Sequence, residues 1–315
     1  MFSTILLFCS LGFAETKALA VQICLDREGY SCNTIDGVWG GKSISALKAY
    51  MRQHGGYCWS NAPLTTAEDV NNVYEHYFAN KKNLFRIETV TQSDLDALVT
   101  IPQDPADRAK LPRMGYETVK EMFAERGHLS QRALERLNPG VDWEHVRPGR
   151  RIRIPDFPSI EEELLAGDRT RHNAPKRPQA ALVTISLSHR EISVWNAAGR
   201  RIALFPCSIA KDKSKLPPSG WLKITSYIPN PNYTYSPDFV PKGQKASKYV
   251  LMDGPNNPVG VAWMGLNLPG YGIHGTPRPE SIGNTESHGC FRLANWNAAR
   301  LFAMVRPGTR VIVEP

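Results

Sequence analysis

The sequence predicts a multidomain protein: an α-helical N-terminal unit, a small α+β unit, and a mainly β C-terminal domain of mixed, sandwich-like architecture. Three observations point there. At 315 residues the chain has room for two or three domains. Its texture changes at Ala180, from apolar residues at helical spacing to short alternating or apolar runs between glycine and proline turns. Its charge changes at the same place: residues 1–179 carry 23 Lys+Arg against 23 Asp+Glu, and residues 180–315 carry 15 against 7. The net charge of +8 therefore belongs to the C-terminal domain, which should favour an anionic partner. With 42% apolar and 22% charged residues the chain is not disordered throughout. No apolar run reaches the ~18–20 residues of a bilayer span, which excludes a polytopic membrane protein.

Met1 to Ala14 reads as a signal peptide: an apolar core over 5–13, then Gly12 and Ala14 as small residues before a cleavage point. An exported protein with five remaining cysteines leaves one thiol unpaired. Cys24, Cys32 and Cys58 crowd together, so one disulfide is expected among them with three pairings open, and Cys207 reads as a small buried hydrophobe. Residues 15–100 form the first unit. Leu19 and Ile23 predict a helix over 18–30, Asp36-Gly37 a turn, and Ser43 the cap of a second helix that stops at Gly55-Gly56. Thr66 to Phe78 makes a third helix.

Residues 105–156 form the second unit: two short helices carrying Val119, Met122, Phe123, Leu129, Leu134 and Leu137, a break at Asn138-Pro139-Gly140, and a strand that alternates at Ile152 and Ile154. Its opening strand is sought in FRIETV, 85–90. Residues 157–179 read as a polar linker containing an acidic helical turn. From 180 to 315 the runs ALVTISL, EISVWNAAG, RIALFPCSI, GWLKITSYI, VGVAWMGL and TRVIVEP predict strands, with a hairpin at Asn196–Gly199 and a helix at Asn295–Val305. The Pro- and Tyr-rich stretch 227–241 reads as a loop able to cover a site.

The chemistry concentrates in YGIHGTPRPESIGNTESHGCFRLANW, 271–296, which holds His274, His288 and Cys290 within 17 residues, followed by Arg292. A free thiol is only a few per cent thiolate at neutral pH, and an imidazole within reach removes that limit by taking the proton and returning it to a leaving amine. Gly289 lets backbone approach a substrate closely, and Arg292 offers a planar fork for a carboxylate. A zinc site is the competing use of His and Cys, but His-X-Cys is cramped and no compact fourth ligand follows, so no metal and no other cofactor is expected. Structural packing is the third reading. Trp263, Gly270, Tyr271 and Gly272 precede His274 and are placed to line a groove, although Trp263 suits a core equally well.

H-G-T at 274–276 and S-H-G-C-F-R-L at 287–293, with GPNNPVGVAWMGL before and NWNAARLFAMVRPGTRVIV after, resemble the signature of the L,D-transpeptidase (YkuD) catalytic domain across 180–315. Residues 18–78 resemble peptidoglycan-binding helical modules, and 105–156 resembles a LysM-like sugar-binding module. The resemblance implies a peptidoglycan enzyme with Cys290 as nucleophile, His274 as base and the Gly275 carbonyl orienting the imidazole. It further implies that His288, Gly289 and Cys290 wall the oxyanion side, and that Arg292, Ser287, Tyr271, Trp263 and Thr276 contact substrate. The implied partners are stem peptides and glycan strands, with a wall-anchored lipoprotein as a further acceptor and no nucleic acid, in the periplasm. The implied product is a 3→3 cross-link or an anchored protein. A hydrolase or carboxypeptidase of the same fold, and a catalytically idle wall-binding adaptor, are the alternatives. The front units are expected to act as tethers that leave the chemistry wholly to 180–315.

Overall fold

The structure, a computed structural model, describes residues 13–55, 62–168, 177–236, 248–283 and 289–315. Most of the predicted signal segment, Cys58, part of the 227–241 stretch, Ser287 and His288 lie outside the described residues. The first unit packs α1 (Phe13–Arg27), α2 (Gly41–Gln53) and α3 (Ala67–Val73), the last running on as a π-helical turn over Tyr74–Phe78. Thr66 and Asp69 cap α3 reciprocally. Ser43 is not the cap of α2: Gly40 holds that position, and Ser43 is buried one turn in, accepting a hydrogen bond from Gln22 Nε2 at 3.0 Å. Cys24 and Cys32 are buried thiols with no bond between them.

The second unit opens with β1 (Phe85–Thr89), continues through α4 (Gln92–Asp96), α5 (Pro105–Arg108), α6 (Val119–Arg126) and α7 (Gln131–Leu137), and closes with β2 (Arg151–Pro155). β1 and β2 pair antiparallel from Phe85↔Pro155 to Thr89↔Arg151, so the stretch 85–89 belongs with the second unit rather than with the first. Ile152 and Ile154 are fully buried against Phe123, Leu129 and Leu134.

The stretch 157–167 is not a linker. Ser159 and Glu162 cap α8 (Ile160–Gly167). Its Leu164 enters the C-terminal core, and Gly167 lies so close to Phe302 and Tyr227 that a side chain there would collide with both. Three successive glutamates made this helix read as solvated, yet Glu163 is buried on Arg177 and Arg300. β3 (Leu182–Ser186), β4 (Glu191–Trp195), β5 (Arg201–Pro206), β6 (Gly220–Pro229), β7 (Tyr233–Tyr235), β8 (Tyr249–Leu251), β9 (Ala262–Leu266), β10 (Gly272–His274), β11 (Phe291–Arg292), α9 (Asn295–Met304) and β12 (Arg310–Glu314) complete the domain. Eight strands form one curled sheet in the order β11-β10-β9-β6-β12-β3-β4-β5. The sandwich-like character comes from β6. Residues 220–223 pair with β12 and residues 224–229 pair with β9, with a register shift between Ile224 and Ser226. One long bent strand thereby serves both layers. Tyr227 to Pro229 belong to this strand rather than to a covering loop, and Tyr227 stacks on Phe302 at 3.6 Å.

The three parts interlock instead of hanging on tethers. Leu204 of edge strand β5 exchanges backbone hydrogen bonds with the first unit, accepting from Ser31 at 2.9 Å and donating to Gly29 at 3.0 Å. Buried Asp26 of α1 meets His128 of the second unit at 3.0 Å and Arg300 of α9 at 3.6 Å. The His128 ring stacks between Phe157 and Trp296.

Candidate active site

β10 and β11 run parallel, with Ile273 opposite Phe291 and His274 opposite Arg292. Ile273 and Phe291 are fully buried in the core. Because side chains alternate along a strand, their neighbours point the other way. His274, Cys290 and Arg292 therefore share one face, and all three line a cleft of 1280 Å³. Thr276, Trp263, Gly270 and Arg278 line it too. Its far wall comes from the second unit, including Leu95, Arg108, Glu117, Lys120 and Trp143, with Tyr233 and Tyr235 at one side. Sequence reading found the first wall and missed the second, since nothing local marks residues far upstream as neighbours of Cys290.

His274 is buried, and its Nδ1 donates to the Gly275 carbonyl at 2.7 Å. A carbonyl only accepts, so Nδ1 carries the hydrogen and Nε2 keeps its lone pair, the tautomer that serves a base. Burial drives the imidazole pKa from 6.5 to about 4, outweighing the Gly275 hydrogen bond, while the Arg292 charge lowers it further. Trp263, opposite His274 in the β9–β10 register, stacks on the ring at 5.5 Å and anchors its own Nε1 on Ser226 at 3.2 Å. It is thus a lining residue.

Cys290 is partly exposed, and its thiol donates to the Gly270 carbonyl at 3.4 Å. Burial raises its pKa above 9.0, against the lowering effect of the Gly272 amide and the Arg292 charge. At neutral pH both members of the pair are uncharged. Gly289 has φ +148°, and a Cβ there would press on Tyr271 and the Lys215 carbonyl, so this position requires glycine. Tyr271 is held in place by donating its hydroxyl to that same carbonyl at 3.1 Å. Thr276 is buried and accepts weakly from the Arg278 amide at 3.4 Å. Arg292 is fixed through its backbone, which exchanges hydrogen bonds with Ser208 at 2.9 and 3.0 Å. Cys207 sits fully buried in the core, its thiol pKa pushed well up by burial. Among the described residues no three His, Cys, Asp or Glu side chains gather into a metal-ligand cluster, and no helix is long and apolar enough to cross a membrane.

A curled mixed sheet thus presents the Cys290 thiol and an Nδ1-protonated His274 imidazole on one face of a cleft. Residues 180–313 match the YkuD family, the L,D-transpeptidase catalytic domain, and that part of the chain is a domain of this family. The protein YkuD of Bacillus licheniformis is 28% identical over 199 residues, covering 63% of this chain and 94% of the relative. YqjB of Bacillus subtilis is 35% identical over 112 residues, 34% of this chain and 57% of the relative. YbiS of Escherichia coli is 26% identical over 200 residues, 62% of this chain and 60% of the relative. Both names are given among L,D-transpeptidases, and the chain spans less than two thirds of either. Among solved structures, an L,D-transpeptidase from Mycobacterium smegmatis aligns with a TM-score of 0.34 at 19% identity, over 42% of this chain and 58% of the other. The Enterococcus faecium catalytic domain aligns at 0.33 and 20%, over 44% and 99%. These scores are too low for residue-level comparison.

Proposed function

We propose that the protein is an exported peptidoglycan L,D-transpeptidase in which Cys290 is the nucleophile and His274 its base. The observation that carries this reading is the β10–β11 register, which aims both side chains into one cleft. As substrate binds, Nε2 of His274 takes the thiol proton while sulfur attacks the carbonyl of the third stem-peptide residue. The S–C bond forms, the C–N bond to the fourth-position D-Ala breaks, and the proton passes to the departing amine. An acceptor amine then attacks the thioester, its S–C bond breaks, and the proton returns to sulfur. Backbone amides around Gly289 and Cys290, with His288 beside them, stabilise the oxyanion. Arg292, Ser287, Tyr271, Trp263 and Thr276 contact the stem, and the glycan lies along the wall supplied by the second unit. The first unit contributes affinity for the wall.

Incubation with disaccharide-tetrapeptide, with and without an acceptor, tests this. Wild type should release D-Ala and form the 3→3 cross-linked dimer, and Cys290→Ala should release none. Tripeptide without dimer would redefine the protein as a carboxypeptidase. A carbapenem should add its mass to wild type and not to Cys290→Ala; the same adduct on both would refute Cys290 as nucleophile.

A further inference from the structure

α6 of the second unit turns two carboxyl groups one turn apart toward the catalytic domain. Glu121 accepts from Asn256 Nδ2 at 2.7 Å, and the buried Glu125 accepts from Asn295 Nδ2 through both oxygens, at 3.1 and 3.2 Å. Asn295 begins α9 and is completely buried. Its Nδ2 also donates to the Pro255 carbonyl at 3.0 Å, and since that carbonyl can only accept, it fixes which end of the amide faces Glu125. The other end, Oδ1, has no hydrogen-bond partner among the described residues. It is pressed instead onto the Gly275 and Gly260 backbones, where an added Cβ would lie only 2.3 and 2.1 Å from it. An unpaired buried oxygen stays there only while its nitrogen is held elsewhere. Gly275 is the residue whose carbonyl receives the His274 Nδ1–H.

We propose that Glu125 is a positioning residue of the active site: by holding Asn295 against Gly275 it fixes the carbonyl that sets the orientation and tautomer of His274, so that the second unit completes the catalytic centre. The proposal rests on His274 acting as the base. Tyr116 braces the carboxyl by donating its hydroxyl at 2.9 Å, and among the described residues no lysine or arginine is paired with Glu125. The other titratable groups facing Glu125 are Glu121 and Glu161. Burial, reinforced by these two and opposed by the Tyr116 and Asn295 hydrogen bonds, brings its pKa up to about 8.

Glu125→Met roughly keeps the volume but accepts nothing, so Tyr116 and Asn295 lose an acceptor and stability falls with each unsatisfied donor. Glu125→Gln keeps an acceptor. The readout independent of substrate is the hydrogen-bonded His274 Nδ1–H proton resonance, assigned by its disappearance in His274→Gln. It should be sharp in wild type, lost in Glu125→Met and restored in Glu125→Gln. D-Ala release should follow it, with kcat about tenfold lower in Glu125→Met, KM within about twofold, and recovery in Glu125→Gln, as for a general base whose geometry is loosened. A folded Glu125→Met with an unchanged resonance overturns the proposal, as does a lost kcat beside an intact resonance. Wild type without D-Ala release but with the resonance responding as expected would sink the enzymatic reading and leave the positioning role standing. Should Glu125→Met prove unfolded, Glu125→Gln still decides. The wild-type His274 ring signals should inflect near pH 8, and persistence of that inflection in Glu125→Gln overturns the proposal.

Discussion

The cleft and the junction beneath it treat ionisable groups in opposite ways. In the cleft, burial keeps the partners neutral, with the imidazole pKa near 4 and the thiol above 9.0. In the junction of α1, α8 and α9, the equally buried Asp26 is held charged. Burial alone would raise the Asp26 carboxyl, but His128 and Arg300 outweigh it and bring it below the usual carboxylate range. Arg300 adds a donated hydrogen bond to the Asp26 carbonyl and an ion pair with Glu163 at 3.5 Å. The difference lies in partners rather than depth. A buried charge survives where opposite charges surround it, whereas His274, with a backbone acceptor but only the like charge of Arg292 beside it, is kept neutral.

The comparison breaks first at Arg300. Arg300→Ala leaves Asp26 and Glu163 buried without their shared cation, and breaking a buried pair from one side costs about 3–5 kcal/mol. Urea unfolding of the full chain should show a loss of that size, while the same protein assayed well below its midpoint keeps its D-Ala release within about threefold. Unchanged stability would mean that the junction is hydrated and its charges are ordinary surface charges.

His274→Ala sharpens the other half. Loss of the base should slow D-Ala release at least ~10²-fold near pH 7. Because the thiol pKa lies above 9.0, the deficit should begin to close only at higher pH, where thiolate forms unaided. Rates measured from pH 6 to pH 10 check this. A deficit that does not change with pH would assign His274 a structural part.

How far each region was legible follows from chain separation. His274, Cys290 and Arg292 fall within one short segment, and the alternation around Ile273 and Phe291 orients them, so their gathering in one cleft could be read locally. Strands β3, β4 and β12 were legible for the same reason: their apolar alternation is continuous. The junction was not. Asp26 and Arg300 stand 274 residues apart, as acceptor and donor of a single hydrogen bond. Asn295 and Glu125 stand 170 apart. No spacing rule reaches that far, and a glutamate on a short helix looks solvated until its partner arrives. This is how α8 came to resemble a linker, and why the front units looked like tethers although the Asp26, His128 and Glu125 contacts bind them into the catalytic domain.

The smallest effect is the pH dependence of stability, where His274 of the cleft and Glu125 of α6 act with opposite sign. His274 has a folded pKa of about 4 against 6.5 when unfolded, so between these values the unfolded chain binds more protons and stability rises with pH. Glu125 has a folded pKa of about 8 against 4.5, so the folded chain holds the extra proton across that span and stability falls as pH rises. The two slopes oppose each other between pH 4.5 and 6.5 and nearly cancel. Above pH 6.5 only Glu125 continues, and the remaining span to pH 8, at 1.36 kcal/mol per pKa unit, amounts to a loss of about 2 kcal/mol. Urea midpoints of the full chain should therefore be level from pH 5 to 6.5 and decline toward pH 8. In Glu125→Gln the decline should vanish, and stability should instead climb from pH 4.5 to 6.5 as His274 acts alone. A decline of equal size in both proteins would place the titrating group elsewhere and leave Glu125 without the buried, cation-free setting on which its contrast with Asp26 depends.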